Sequence, residues 1–397
     1  MIRIWTKKNI IFSIFTLIFV LDMYLFGGGR VVEVFGITLR MFLFSFALIL
    51  AVIFTISRMK ISLTVVWVIL LFLLVLCYSS FLSAVSNGLS FSSISAYLFV
   101  LVILFFYAFS DRVFYFLERT IAFCCLFMSV SYLGFLYLAF SGNVSFLDIY
   151  KFLPESELFL RGQDGFVYKG FLYLLIGSLY FIIVDRYKPI WRAIFFILCF
   201  SAILATLTRG FVISLLIVVL IYYVVNSKSL ALKLTVVSIT LFFPIFIFSF
   251  YPDLIFRSGS DSTRINDIYV FLNFIDNGRL NLIFGDGISA YLGDRAGVEN
   301  AYMDTWLRFG LFGVFLLILC FIKITIDYYY LRTNMGVDKR YDWLYYSVVL
   351  IFIQSNFNPY VNNYIGGSFL MFVLVFFDKR RTHFRNVSSL DFMGENK

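Results

Sequence analysis

Apolar runs of 15 to 22 residues, separated by short polar breaks, recur along the whole chain. A helix crossing a bilayer needs about 20 apolar residues. Reading runs against breaks predicts twelve spans, near 10–26, 36–56, 62–83, 94–110, 120–140, 166–184, 193–207, 211–225, 230–250, 301–322, 342–357 and 361–377. A spanning segment must satisfy its own backbone polar groups, which favours helices here. The expected fold is therefore all-α: one polytopic integral membrane domain over 1–397, with a large loop at 251–300 and a polar tail at 378–397.

One stretch resists a single crossing. Residues 193–225 would make a straight helix of about 50 Å, yet Arg192 and Lys228 flank them with cations on both sides. Two basic flanks belong on the same face, so the stretch is expected to be a hairpin tipped by Thr208-Arg209-Gly210.

Composition closes off other classes. Apolar residues make up 62% of the chain and charged ones 14%, against about 45–50% and ~25% in soluble domains. This excludes a soluble enzyme, a disordered chain and a disulfide-stapled module. All five cysteines lie in apolar runs without a CxxC spacing, and the single histidine, His383, sits in the polar tail. The N-terminus is basic, and its first run carries Asp22 with no small-residue cleavage site after it, as in an uncleaved first helix.

The net charge of +9 reads as topology and not as nucleic-acid binding. With both termini cytoplasmic, 21 of the 32 cations and nine acids fall inside, and 11 cations and 14 acids outside. The inner face is then +12 and the outer face −3, as the positive-inside rule requires.

The candidate chemistry lies at the outer level. In the large loop, Asp261-Ser262 reads as an N-cap before Ile265, Ile268, Tyr269, Leu272 and Ile275 at helical spacing. That helix would lie along the membrane surface, carrying Arg264 with Asp267 one turn later. Ile283 to Ile288 reads as a tight turn leading to Glu299-Asn300, where the tenth span begins. The outer set is Arg209, Arg264, Arg279, Glu299, Asp304 and Arg308. Arginine suits diphosphate because its planar fork donates paired hydrogen bonds and keeps its charge. A carboxylate beside it can take a proton from a hydroxyl.

Plainer readings stand beside these. Arg209 and Arg264 also fit interfacial anchors, and Asp304 with Arg308 fits a structural i,i+4 pair. Arg257, Asp294 and Arg295 fit solvated loop charges. The Gln354, Asn356, Asn358, Asn362 and Asn363 cluster fits either a sugar-binding surface or a helix-ending turn around Pro359. The glycines at 27–29 fit a turn. Glu155-Ser156-Glu157 is the nearest approach to a paired-carboxylate metal motif, and no metal or cofactor site is expected.

Three features together resemble the O-antigen polymerase/ligase superfamily: the twelve spans, the dominant loop between spans nine and ten, and the hairpin bearing Thr208-Arg209-Gly210. So does the order Ser262-Thr263-Arg264, Phe284-Gly285-Asp286-Gly287, Glu299-Asn300 and Leu311-Phe312-Gly313. The ligase branch usually has histidine before the asparagine; here Glu299 stands there, which favours the polymerase branch. Arg161 with Gly162 and Gly170, and Arg279 with Gly285, are loosely similar to that branch's arginine–glycine signatures.

The resemblance implies glycosyl transfer from a polyprenyl-diphosphate-linked glycan at the outer face of the bacterial inner membrane. It assigns Arg264 and Glu299 to catalysis, with Glu299 as base, and Arg209, Arg279, Arg308, Asp304 and Arg161 to substrate binding. No cofactor is implied. The expected partners are lipid-linked glycans, membrane lipids, a chain-length regulator and a flippase, with no nucleic acid. A ligase acting on lipid A-core and a lipid-linked oligosaccharide flippase are the alternatives.

Overall fold

The computed structural model describes residues 7–25, 33–34, 37–58, 61–86, 88–89, 91–145, 158–160, 166–250, 258–276, 281–293, 295, 297–335 and 339–394. Within these, the chain is a bundle of helices. They are α1 (Lys7–Leu25), α2 (Leu39–Arg58), α3 (Leu63–Ser86), the short α4 (Phe91–Ser95), α5 (Ile103–Phe140), α6 (Leu172–Ile183) and α7 (Pro189–Ala205). There follow α8 (Arg209–Asn226), α9 (Leu230–Phe250), α10 (Ser258–Asp276), α11 (Ala301–Met335), α12 (Asp342–Gln354) and α13 (Tyr364–Gly394). Two small antiparallel pairs add the only strands among the described residues: β1 (Glu33–Val34) with β2 (Ile37–Thr38), and β3 (Leu158–Leu160) with β4 (Phe166–Tyr168). Four helical stretches, Leu63–Ser86, Ser93–Phe140, Arg209–Asn226 and Ala301–Asn334, are long and apolar enough to cross a membrane.

The core forms around α5, which packs on α1, α2, α6, α7 and α13, while α11 packs on α3 and α13. Large aromatics fill it, including Trp343, Tyr24, Tyr173, Tyr180, Phe105 and Phe106. Lipid supplies no hydrophobic drive between helices, so close approach at small residues matters. At Gly177 the backbone lies against Cys125, leaving no room for a Cβ. Asp22, the polar residue in the first run, is buried and takes Nε of Arg40 on Oδ2 at 2.7 Å.

Two polar breaks in the hydropathy pattern are themselves helical, although α5 kinks just before the first of them. The expected loop at 111–119 is helical, inside α5; only Phe109 leaves helical geometry, at φ −123° and ψ 17°. Residues 111–119 hold no glycine or proline, so charge interrupts the apolar pattern without stopping the helix. The polar tail after 377 likewise continues α13 to Gly394.

The charges of these stretches pair across the bundle at its tail end, where α13 runs on past 377. Arg340 holds both Glu118 oxygens, Arg380 holds Asp111 at 2.8 Å, and Lys323 holds Asp378 at 2.8 Å. Asp327 takes Arg381 of α13 as well as Lys323 of its own helix. The opposite end, carrying 281–300, is the loop end.

The expected hairpin exists: α7 and α8 are separated by Thr206-Leu207-Thr208, and Leu207 sits at φ +54°. The tip thus lies slightly before Thr208-Arg209-Gly210, and Arg209 is the first residue of α8.

Candidate functional site

The loop end is built on a break in α11. Gly310 lies at φ +67°, ψ −171°, inside an otherwise helical run. The break frees the next two N–H groups from the helix, and the loop accepts them. Leu311 N donates to Leu282 O at 2.9 Å and Phe312 N to Ile283 O at 3.2 Å. A Cβ on Gly310 would collide with the Ile283 carbonyl, so only glycine permits this approach. Asp286 N then donates to Leu307 O at 2.8 Å. The segments Phe284-Gly285-Asp286-Gly287 and Leu311-Phe312-Gly313, far apart in sequence, are therefore two sides of one joint.

Two serines of α3 tie the joint down. Ser79 donates to Arg308 O at 2.9 Å, and Ser83 Oγ accepts from Ser289 N at 2.9 Å. Sequence reasoning missed both; their i,i+4 spacing in an apolar span was the available signal. Asp286 is half-buried, which raises its carboxyl above the ordinary value, while the Asn281 N–H donated to it works in the opposite direction.

Asp304 and Arg308 form an i,i+4 pair at 3.0 Å, with side chains only 8% and 11% exposed. Asp304 also accepts from Asn362 Nδ2 at 2.8 Å and faces Val298 N at 3.4 Å. Arg308 additionally donates to Ile288 O. Both groups thus clamp the loop to α11 and to the turn that precedes α13.

Arg264 and Glu299 are a different kind of pair. Arg264 lies on α10, which starts at Ser258, three residues before the expected cap at Asp261. Glu299 lies just before α11, whose N-terminus Asn300 caps by accepting from Tyr302 N at 2.9 Å and Met303 N at 3.1 Å. Their contact, Nε to Oε2, is 2.9 Å, with side chains 31% and 34% exposed. One turn along α10, Asp267 accepts from Arg295 NH1 on both oxygens at 2.8 Å. Arg295, which the sequence left as a solvated charge, is instead a strut fixing α10 to the loop.

Arg209 reaches the same neighbourhood through its backbone. A Cβ on Gly210 would come within 2.8 Å of Phe357, so the start of α8 abuts the 355–358 turn. Asn356 O of that turn accepts from Asn300 Nδ2 at 3.4 Å, next to Glu299. The asparagine cluster largely serves the turn: Gln354 accepts from Ser214 at 2.7 Å, and Asn363 Oδ1 caps α13 by accepting from Ile365 N at 2.9 Å. Asn356 remains exposed. Arg161, Arg279, Asp294, Arg257, Glu155, Glu157 and the glycines at 27–29 lie outside the described residues. No group of three or more metal-ligating side chains occurs among the described residues.

Beside the clamp, a cavity of about 270 Å³ runs between α3, α11 and α13. Tyr97, Thr305 and Asn362 line it near Asp304, and Trp67, Phe72, Leu316 and Leu374 make its walls apolar.

The fold and this rim define the class: an all-α protein with membrane-crossing helices and a half-exposed Arg–Glu pair on a hydrogen-bonded loop. No family model matches the chain. Over 372 residues, covering 90% of this chain and 92% of the relative, it is 27% identical to an O-antigen polymerase of Shigella flexneri. That similarity along nearly the whole length supports the resemblance drawn from the motifs.

Proposed function

We propose that this protein polymerises lipid-linked oligosaccharide repeat units of the O-antigen type by glycosyl transfer. The reaction would take place at the outer face of the bacterial inner membrane, with both termini cytoplasmic. The observation that carries the reading is the Arg264–Glu299 pair, half-exposed at the junction of α10 and α11. The named activity of the relative supports it.

The donor is a growing glycan on polyprenyl diphosphate, and the acceptor is a hydroxyl of the next lipid-linked repeat. The hydroxyl oxygen forms a bond to the reducing-end sugar carbon as the carbon–oxygen bond to diphosphate breaks. The acceptor proton goes to a base, and the diphosphate leaves with the electron pair. Arg264 can exchange Glu299 for the departing diphosphate, stabilising its charge and releasing the carboxylate to take the proton. Arg209 adds a cation nearby, and Arg279 and Arg161 are assigned to the same anion. Asp304 and Arg308 position the loop rather than touch substrate. The cavity between α3, α11 and α13 suits the first isoprene units of the lipid. A chain-length regulator and a flippase complete the expected partners.

Deleting the gene and separating surface glycans by size tests this reading. Polymerase loss leaves a single repeat on the acceptor. Polymer retained on the polyprenyl carrier would instead identify a ligase, and repeats trapped in the cytoplasm a flippase.

A further inference from the structure

The tail end holds a second cavity, of about 440 Å³, whose polar lining includes Glu118, Arg119, Asp185, Arg186, Lys339 and Arg340. Four cations face two acids there, and both acids are already engaged. Glu118 is held by Arg340, and Asp185 by Arg192, which lies outside the cavity lining. Arg186 spends one N–H on Glu118 O at 2.9 Å. Arg119 lies over the Tyr115 ring at 4.2 Å. Among the described residues, neither Arg119 nor Lys339 has a carboxylate partner.

A concave site with surplus positive charge, a flat aromatic wall and an apolar floor of Ile183 and Val184 matches a phosphodiester with attached chains. Its position also fits. It lies where the charged stretch 111–119 of α5, the residues just after α6 and the segment before α12 meet, at the tail end with its cross-bundle ion pairs. Basic pockets between helices at the membrane interface recognise anionic lipid headgroups. We infer that this cavity binds the phosphate of an anionic phospholipid, with Arg119 and Lys339 as its principal ligands and Arg186 and Arg340 at its edge. The inference is independent of the polymerase reading, since no glycan or diphosphate chemistry enters it.

The test uses the full chain in detergent with phosphatidylglycerol or phosphatidylcholine added, and native mass spectrometry counts retained lipid. Each surface cation is worth about a fivefold change in anionic-lipid binding. The wild type should retain phosphatidylglycerol over phosphatidylcholine. The variant Arg119→Gln/Lys339→Gln should lose about 25-fold of that preference, with an unchanged melting temperature in lipid-free detergent. A Lys228→Gln/Lys233→Gln variant, with the same charge change outside the cavity, should keep it. Equal retention by the cavity variant, or an equal loss in the control variant, overturns the site. Displacement of the lipid by millimolar inorganic phosphate would assign the cavity to a soluble phosphate and overturn the lipid assignment.

Discussion

The two ends of the bundle use charge in opposite ways. At the tail end, acids from one element meet cations from another: Glu118 with Arg340, Asp111 with Arg380, Asp378 with Lys323, and Asp327 with Arg381. These pairs hold together segments that the chain separates by 54 to 269 positions. At the loop end, charge is divided between two tasks. Asp304–Arg308 is shut away and saturated with partners, whereas Arg264–Glu299 stands half open with one contact between the two. At the loop end, burial thus separates a pair locked in place from one placed to change partners. A buried pair that loses one partner leaves an uncompensated charge, while an exposed pair contributes little to stability and can change partners.

The largest effect is expected at the clamp. Arg308→Ala leaves Asp304 buried without its cation and should cost about 3–5 kcal/mol. The expected outcome is a sharp fall in folded protein, read by size-exclusion chromatography of the detergent extract. Next comes the open pair. Arg264→Ala should leave protein level and melting temperature within about 1 kcal/mol of wild type. It should lower glycan elongation per folded molecule about 10²–10³-fold, as expected for loss of a charge-stabilising donor.

Smaller effects sharpen the contrast. Glu118→Gln weakens the tail-end tie to Arg340, and because that arginine is 47% exposed the cost should be about 1–3 kcal/mol. A lower melting temperature with unchanged elongation per folded molecule is the expected pair of readings. Ser83→Ala removes the acceptor for Ser289 N–H and should cost about 1 kcal/mol, seen as a shift of a few degrees in melting.

Much of this architecture was legible in the chain. Apolar runs locate the helices because a crossing has a fixed length, and Gly285, Gly287 and Asn300 announce the turn and cap before α11. Polarity and backbone part company at 111–119 and after 377, where charged residues continue the helix and pair with neighbouring elements. At the site, Arg264, Glu299, Asp304 and Arg308 were all nameable from type and place. The i,i+4 spacing also offered Asp304–Arg308 as a structural pair. The pairing of Arg264 with Glu299, and so the full division into an open pair and a clamp, was not legible. That division depends on Ser79, Ser83, Asn362 and Arg295 arriving from other segments, and pairing over such distances leaves no local signal. The break at Gly310 hid for the same reason: its partner is the carbonyl of Ile283.

The polymerase proposal requires the open pair to do chemistry on a scaffold that survives without it. Its most direct test is elongation by purified Glu299→Gln protein, present at wild-type level and melting temperature, supplied with lipid-linked repeat units. Product should stop at the single repeat while wild type builds long chains. Full-length polymer from the Glu299→Gln protein would contradict it.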